Sequence, residues 1–230
     1  QTSGNVSLVS FAEPEDDPQY TSPSASGVGG GRYVAFASDV ALGAYDTNGV
    51  RDIFLRDLQT GDVTSITSTL SRGAANGESF DPVISRDGRF VAFDSFATNL
   101  TADPLVTPGF VQVYLFDTAT GTTRLVSTVS AQQYYSGSQL SSISGDGRYV
   151  AFTTSAIGTP RDGTDYDVYV RDMQTDTLKL VSAGHASDVI DATQGILTPD
   201  GRYIVFDSDA PDNLPGDTND ITDIFLRKLV

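Results

Sequence analysis

Cysteine and tryptophan are absent from the 230 residues, and histidine and methionine occur once each. Without cysteine there is no disulfide, no thiolate metal site and no cysteine nucleophile. The lone His185 cannot build a multi-histidine metal centre, and its setting, Ala183-Gly184-His185-Ala186-Ser187-Asp188, reads as a solvated loop. Glutamate is confined to Glu13, Glu15 and Glu78, so nearly all of the 30 acidic residues are aspartates, which suit turns and hard-cation loops better than helix faces. Positive charge is scarce as well. The 14 basic residues leave a formal charge of −16, which excludes nucleic acid as a partner and disfavours anionic membranes. No apolar run approaches the roughly 18 residues of a membrane span, so no membrane insertion is expected. No G-x-S-x-G elbow is present, which argues against a hydrolase nucleophile. The start at Gln1 fits a processed mature chain, and hence a secreted or periplasmic protein, and fits a trimmed chain equally.

What the sequence does have is a repeat. Gly31-Arg32-Tyr33-Val34-Ala35-Phe36 recurs as Gly88-Arg89-Phe90-Val91-Ala92-Phe93, as Gly147-Arg148-Tyr149-Val150-Ala151-Phe152 and as Gly201-Arg202-Tyr203-Ile204-Val205-Phe206. A second alternating run follows each copy: Asp52-Ile53-Phe54-Leu55-Arg56-Asp57, Gln112-Val113-Tyr114-Leu115-Phe116-Asp117, Asp167-Val168-Tyr169-Val170-Arg171-Asp172 and Asp223-Ile224-Phe225-Leu226-Arg227-Lys228. Alternation of β-branched and aromatic residues between turn residues predicts strands. A third run, Ser65-Ile66-Thr67, Leu125-Val126-Ser127 and Leu180-Val181-Ser182, is present in three copies only, because the fourth copy stops at Val230.

The missing run stands at the other end of the chain. Gly4-Asn5-Val6-Ser7-Leu8-Val9-Ser10 aligns without a gap on Gly121-Thr122-Thr123-Arg124-Leu125-Val126-Ser127. The expected fold is therefore all-β: a four-bladed β-propeller of four-stranded antiparallel blades, closed by an N-terminal strand at 4–10 that pairs with the last blade. The repeats cover approximately 20–68, 80–128, 139–183 and 193–230 of a single domain, 1–230. In this reading the eight repeated aromatic residues form the core between blades. A monomer is favoured, with a dimer forming one larger ring as the alternative assembly.

The runs "SRDGRFVAFDS", "TPDGRYIVFDS" and "DTNGVRDIFLRDLQTG" resemble the repeats of TolB-like, WD-like bacterial propellers over essentially the whole chain. The resemblance implies a propeller, a fold that carries many unrelated activities. First-repeat Gly27-Val28-Gly29-Gly30-Gly31 departs from the Asp-Gly turn of the other three copies.

Candidate site residues lie in the loop before the third strand. Asp46, Asn48 and Asp52 share a D-x-N-x-x-x-D spacing with Asp217, Asn219 and Asp223, and Asp162, Asp165 and Asp167 form a shortened relative. Oxygen ligands at alternate positions of a tight loop suit calcium. The competing reading is an Asx-turn, in which each side chain caps its own loop amides. The second repeat has Thr107-Pro108-Gly109-Phe110-Val111-Gln112 here and should bind no metal. Tyr134 and Tyr135 are candidate contacts for a sugar or a protein, the competing reading being a buried wedge between blades. The repeated arginines are read as partners of strand aspartates such as Asp57 and Asp172. The leading function is a non-catalytic extracellular or periplasmic module that binds a protein or glycan ligand, stiffened by calcium. The alternatives are a polysaccharide-active lyase or glycosidase using paired carboxylates, and a structural repeat of a larger surface protein.

Overall fold

The repeated runs form strands, and their order within each copy sets the topology. The computed structural model describes residues 24–42, 46–67, 73–103, 108–128, 137–154, 166–182, 192–208 and 221–230. Among them the first sheet is β1 (Ser24–Gly29), β2 (Tyr33–Ser38), β3 (Asp52–Asp57) and β4 (Val63–Ser65); the second is β5 (Ser79–Ile84), β6 (Phe90–Ser95), β7 (Gln112–Asp117) and β8 (Thr122–Leu125). The third sheet is β9 (Ser138–Ile143), β10 (Tyr149–Thr154), β11 (Asp167–Asp172) and β12 (Thr177–Leu180), and the fourth is β13 (Gly195–Leu197), β14 (Tyr203–Ser208) and β15 (Asp223–Lys228). Within each sheet the strands run in chain order and pair antiparallel, the meander of a propeller blade. The strand expected at 4–10, which would complete the fourth sheet, lies outside the described residues.

The aromatic positions occupy the register that the repeat implies. Phe36 lies opposite Phe54, Phe93 opposite Tyr114, Phe152 opposite Tyr169 and Phe206 opposite Phe225, so each pair sits on one face of its sheet. The ring centroids are 5.7, 5.8, 6.0 and 5.6 Å apart. All but Phe225, which is half-buried, are buried. The small and aliphatic residues between them face the other way and cover the next sheet. Ala35, Ala37, Ile53 and Leu55 pack with Ile84, Val91 and Phe93; Ala92, Val113 and Leu115 with Val150, Phe152 and Tyr169; Ala151, Val168 and Val170 with Leu197, Ile204 and Phe206. Aromatic face against aliphatic face is thus the interface that recurs from sheet to sheet.

Two boundaries differ from the sequence reading. The outer strands end at Ser65, Leu125 and Leu180, so most of each Leu-Val-Ser run lies just past its strand rather than within it. The chain still folds back there, since the amides of Ile66, Val126 and Val181 donate to the carbonyls of Ile53, Val113 and Val168. The second inner strand begins at Ser79, ahead of the expected Pro82-Val83-Ile84-Ser85, and is bulged between Phe80 and Val83, with Asp81 at a φ of 48°. A proline is tolerated there because β5 is an edge strand and needs no amide at every position.

The Ser-x-Asp-Gly turns between first and second strands are built alike. Ser85 Oγ donates to Asp87 Oδ1 at 2.6 Å, and Asp87 Oδ1 also accepts the Arg89 amide at 3.0 Å. Ser144 with Asp146 and Thr198 with Asp200 repeat the arrangement. The turn glycine, at φ near 70°, receives the leading aromatic of the preceding sheet: Tyr33 against Gly88, Phe90 against Gly147 and Tyr149 against Gly201.

Candidate functional site

The strands end in two sets of loops. Asp-Gly turns and the turns between third and fourth strands gather at one end of the sheets; the loops before the third strands and the connectors between sheets gather at the other. Asp46, Asn48 and Asp52 belong to the second end, where the loop of the first sheet meets the connector that leads to β5. Asn48 Nδ2 donates to Asp52 Oδ2 at 2.8 Å and to the Ala75 carbonyl at 3.0 Å, while Asn48 Oδ1 accepts the Val50 amide at 3.1 Å. That last bond is an Asx-turn. Asp52 Oδ1 accepts Thr67 Oγ1 at 2.5 Å.

The two aspartates share one enclosed space. Asp46 is 8% exposed and Asp52 2%, and their carboxyls interact directly. Burial, then the facing Asp52 carboxylate, push Asp46 up to about 6 from 3.8, and burial raises Asp52 too. Asp46 Oδ2 has no hydrogen-bond partner among the described residues. A proton shared between the carboxyls, or a hard cation between them, would relieve this arrangement in electrostatic terms. The amide nitrogen of Asn48 faces Asp52, so the asparagine presents a donor there and not a metal ligand. Two of the three expected side chains in this loop therefore offer oxygen to a cation.

Asp167, expected as a ligand in the third repeat, accepts Ser182 Oγ at 2.8 Å, and Asp223 stands at the start of β15. Asp162, Asp165, Asp217, Asn219, Tyr134 and Tyr135 lie outside the described residues. Among the described residues no group of three or more carboxylate or imidazole side chains is drawn together.

A latch that the loop pattern did not reveal recurs at the same end. Thr67, Ser127 and Ser182 each accept the amide that follows the first residue of the third strand, at 3.2, 3.1 and 3.0 Å. Each hydroxyl then donates to the side chain of that first residue, Asp52, Gln112 or Asp167. Gln112 makes the same bond without a charge, so this position works first as an acceptor for the outer strand. A hydroxyl always 15 residues after the acceptor was the available signal. Asp94 is a second residue that sequence reasoning passed over. It is buried on β6, its Oδ1 accepts the Leu140 amide of the next sheet at 2.8 Å, and burial holds its carboxyl well above the ordinary range.

At the opposite end a cleft of about 460 Å³ opens between the second and third sheets, lined in part by Arg89, Phe90, Arg124, Asp146, Arg148 and Met173. Its arginines are committed to partners. Arg89 makes a two-pronged pair with Asp117 and Arg148 with Asp172, and Arg32 does the same with Asp57. The expected pairing of repeat arginines with strand aspartates is thus the observed one in the first three repeats.

No family model matches the chain, and neither does any curated protein. Solved structures do. The tricorn protease is similar over 90% of this chain, with a TM-score of 0.59 and 15% identity. Dipeptidyl peptidase 4 of Porphyromonas gingivalis is similar over 84%, with a TM-score of 0.53 and 13% identity. TolB of Acinetobacter baumannii is similar over 86%, with a TM-score of 0.48 and 19% identity. This chain spans 18%, 30% and 38% of the length of those proteins. Identities this low speak to architecture alone. The propeller fold implied by the TolB-like repeats is the fold of this chain. Among the described residues no helix is long and apolar enough to cross a membrane.

Proposed function

We propose that this chain is a non-catalytic binding propeller, secreted or periplasmic, that recognises a protein or glycan through the loops preceding its third strands and the connectors between its sheets. The observation that carries this reading is the latch: a hydroxyl, a backbone amide and a side-chain acceptor fix the base of the loop in three successive sheets. Loops anchored on rigid strands are where recognition residues are best held. Tyr134 and Tyr135 belong by sequence to the connector between the second and third sheets and would supply aromatic contact to a ligand.

Calcium belongs to the same proposal. Asp46 and Asp52 would hold the ion, with Asp217, Asn219 and Asp223 as the corresponding set of the fourth repeat and Asp162, Asp165 and Asp167 as that of the third. Bound calcium would neutralise the enclosed carboxyl pair and stiffen the loop. The proposal extends to architecture: four blades, the last completed by residues 4–10 along β15, with Ser10 in the position of Ser127 and so the hydroxyl partner of Asp223.

The test is a glycan array probed with the purified chain in calcium and in chelator, beside Asp46→Ala. Retention of a defined glycan class by the wild type, weakened by chelator or by the substitution, supports the reading. Release of new reducing or unsaturated ends from a polysaccharide, lost in Asp46→Ala, would replace it with the lyase or glycosidase alternative.

A further inference from the structure

Charge is divided unevenly between the two ends of the sheets. Among the described residues the basic side chains, Arg51 apart, belong to the half of each sheet nearer the turns that join first and second strands, although the whole chain carries a formal charge of −16. The cleft between the second and third sheets opens at that end, and all of its lining lies within the described residues. Its volume of about 460 Å³ is in the range of small-ligand sites. Its floor is apolar, since Leu115, Met173 and half-buried Phe90 belong to one packed cluster. The charged residues of the lining are Arg89, Arg124 and Arg148 against Asp117 and Asp146, a surplus of one guanidinium.

The second sheet differs from the first at two positions of this wall. Arg124 lies opposite Leu115 where the first sheet sets Thr64 opposite Leu55, and Thr122 stands in the place of Asp62. A cation is gained and a carboxylate lost, while the short turn keeps the same 2.7 Å hydroxyl bond, Thr60 to Asp62 in one sheet and Thr120 to Thr122 in the other. The pairs that hold Arg89 and Arg148 use only Nε and Nη2 of each, so Nη1 of both has no hydrogen bond among the described residues. Each guanidinium also lies over a ring, Phe90 or Tyr149, at 4.8 and 4.9 Å from the centroid, which fixes its plane before a ligand arrives. Arg124 Nη1 donates to the Met173 carbonyl of the next sheet at 2.7 Å. Lys179 makes the equivalent bond to the Leu229 carbonyl at 3.1 Å, so bridging the sheets does not by itself require the arginine fork. The remaining contact of Arg124, with exposed Asp176 at 3.4 Å, is weak enough to be exchanged for a ligand's oxygen. A surplus of one positive charge matches a single carboxylate better than a phosphate monoester, which brings about −1.5 to −2.

We propose that this cleft is a binding site for a small organic carboxylate with an apolar body, held by Arg124, Arg89 and Arg148 against the floor of Phe90, Leu115 and Met173. The site draws on none of the loops at the other end, so it holds whether or not they recognise a protein or glycan. Met173 is the only methionine of the chain, and an isotopic label on its methyl group gives a single NMR signal from the cleft floor. N-acetyl-leucine should move that signal saturably, and N-acetyl-leucinamide, which lacks the charge, should not. Glucuronate and glucose form a second such pair, and the pair with the larger difference tells whether the carboxylate comes from a peptide end or from a sugar acid. Arg124→Thr should weaken binding at least about tenfold. Thr122→Asp, which restores the acid of the first sheet, should weaken it as well. Both variants place residues that the first repeat already carries at these positions, so the far-UV spectrum and melting point should stay near those of the wild type. No saturable shift from either carboxylate, an equal shift from its neutral analogue, a stronger response to inorganic phosphate, or binding that both variants leave intact would overturn the proposal.

Discussion

A single buried carboxyl gives the sharpest handle on the candidate site. Asp46 titrates at about 6 when folded, against an ordinary value of 3.8. A carboxyl raised by folding favours the protonated form, so the folded state carries no penalty below about 3.8 and an increasing one as pH rises through 6. Asp46→Asn, which keeps the shape and removes the charge, should therefore stabilise the protein at pH 7.5 in chelator by roughly 1–2 kcal/mol, a figure discounted for solvent screening. The gain should vanish below pH 4, and thermal melts across this range measure it. Calcium at a hundredfold excess over its Kd would stabilise the wild type by about 2.7 kcal/mol, and in calcium the sign of the Asp46→Asn effect should invert. An equal melting point in calcium, magnesium and chelator at matched ionic strength would leave the Asx-turn as the whole role of the loop. Gly147 offers an independent test of the packing between sheets. A Cβ there would collide with the ring of Phe90 at a φ of 70°, so Gly147→Ala should cost about 1–3 kcal/mol in chemical denaturation.

The latch makes a prediction at the level of the strand. Removing the hydroxyl of Ser182 strips a donor from the charged Asp167, whereas removing that of Ser127 strips one from the neutral amide of Gln112. Ser182→Ala should accordingly cost about 2–3 kcal/mol and Ser127→Ala about 1 kcal/mol, and a double-mutant cycle of Ser182→Ala with Asp167→Asn should recover much of the difference. Equal costs would mean that the bond to the amide matters and the bond to the side chain does not. Strands of this kind were readable from the sequence because Phe93, Tyr114 and their counterparts recur at fixed spacing, and side-chain alternation then dictates which face they take. Arg89 with Asp117 was equally legible, since both sit at the same end of neighbouring strands. The ends of elements were not. Nothing in Leu125-Val126-Ser127 announces that the ladder stops at Leu125 and that the serine turns inward, because β-propensity continues through the run. The bulge at Asp81 and the inter-sheet bond from Leu140 to Asp94 depend on how two sheets meet, which local pattern does not encode. The enclosed Asp46–Asp52 pair was only half visible: the spacing brought the carboxyls into one loop, but the inward turn of Asp46 and the donor orientation of Asn48 are outcomes of packing.

Taken as a whole, the molecule holds two populations of aspartate with opposite responses to acid. Hydrogen bonds from Arg32 and Arg148 hold Asp57 and Asp172 down at about 2, and Arg89 lowers Asp117 in the same way. Their contribution is present above about 3.8 and is lost as pH falls toward 2. Asp46 acts the other way. Stability should thus rise on going from pH 7 to about pH 5 and fall steeply below pH 4, and melting points across this series would reveal a monotonic decline if the buried carboxyls were unimportant. The stacking of aromatic face on aliphatic face has a further consequence for cooperativity. Each sheet draws its burial from the sheets beside it, and among the described residues the fourth sheet packs on a neighbour through one face only, so it has fewer coupling terms than the second. Amide protons of β14 and β15 should then exchange with deuterium ahead of those in β6 and β7, whose sheet is covered on both faces, and opening should travel inward from the fourth sheet one unit at a time.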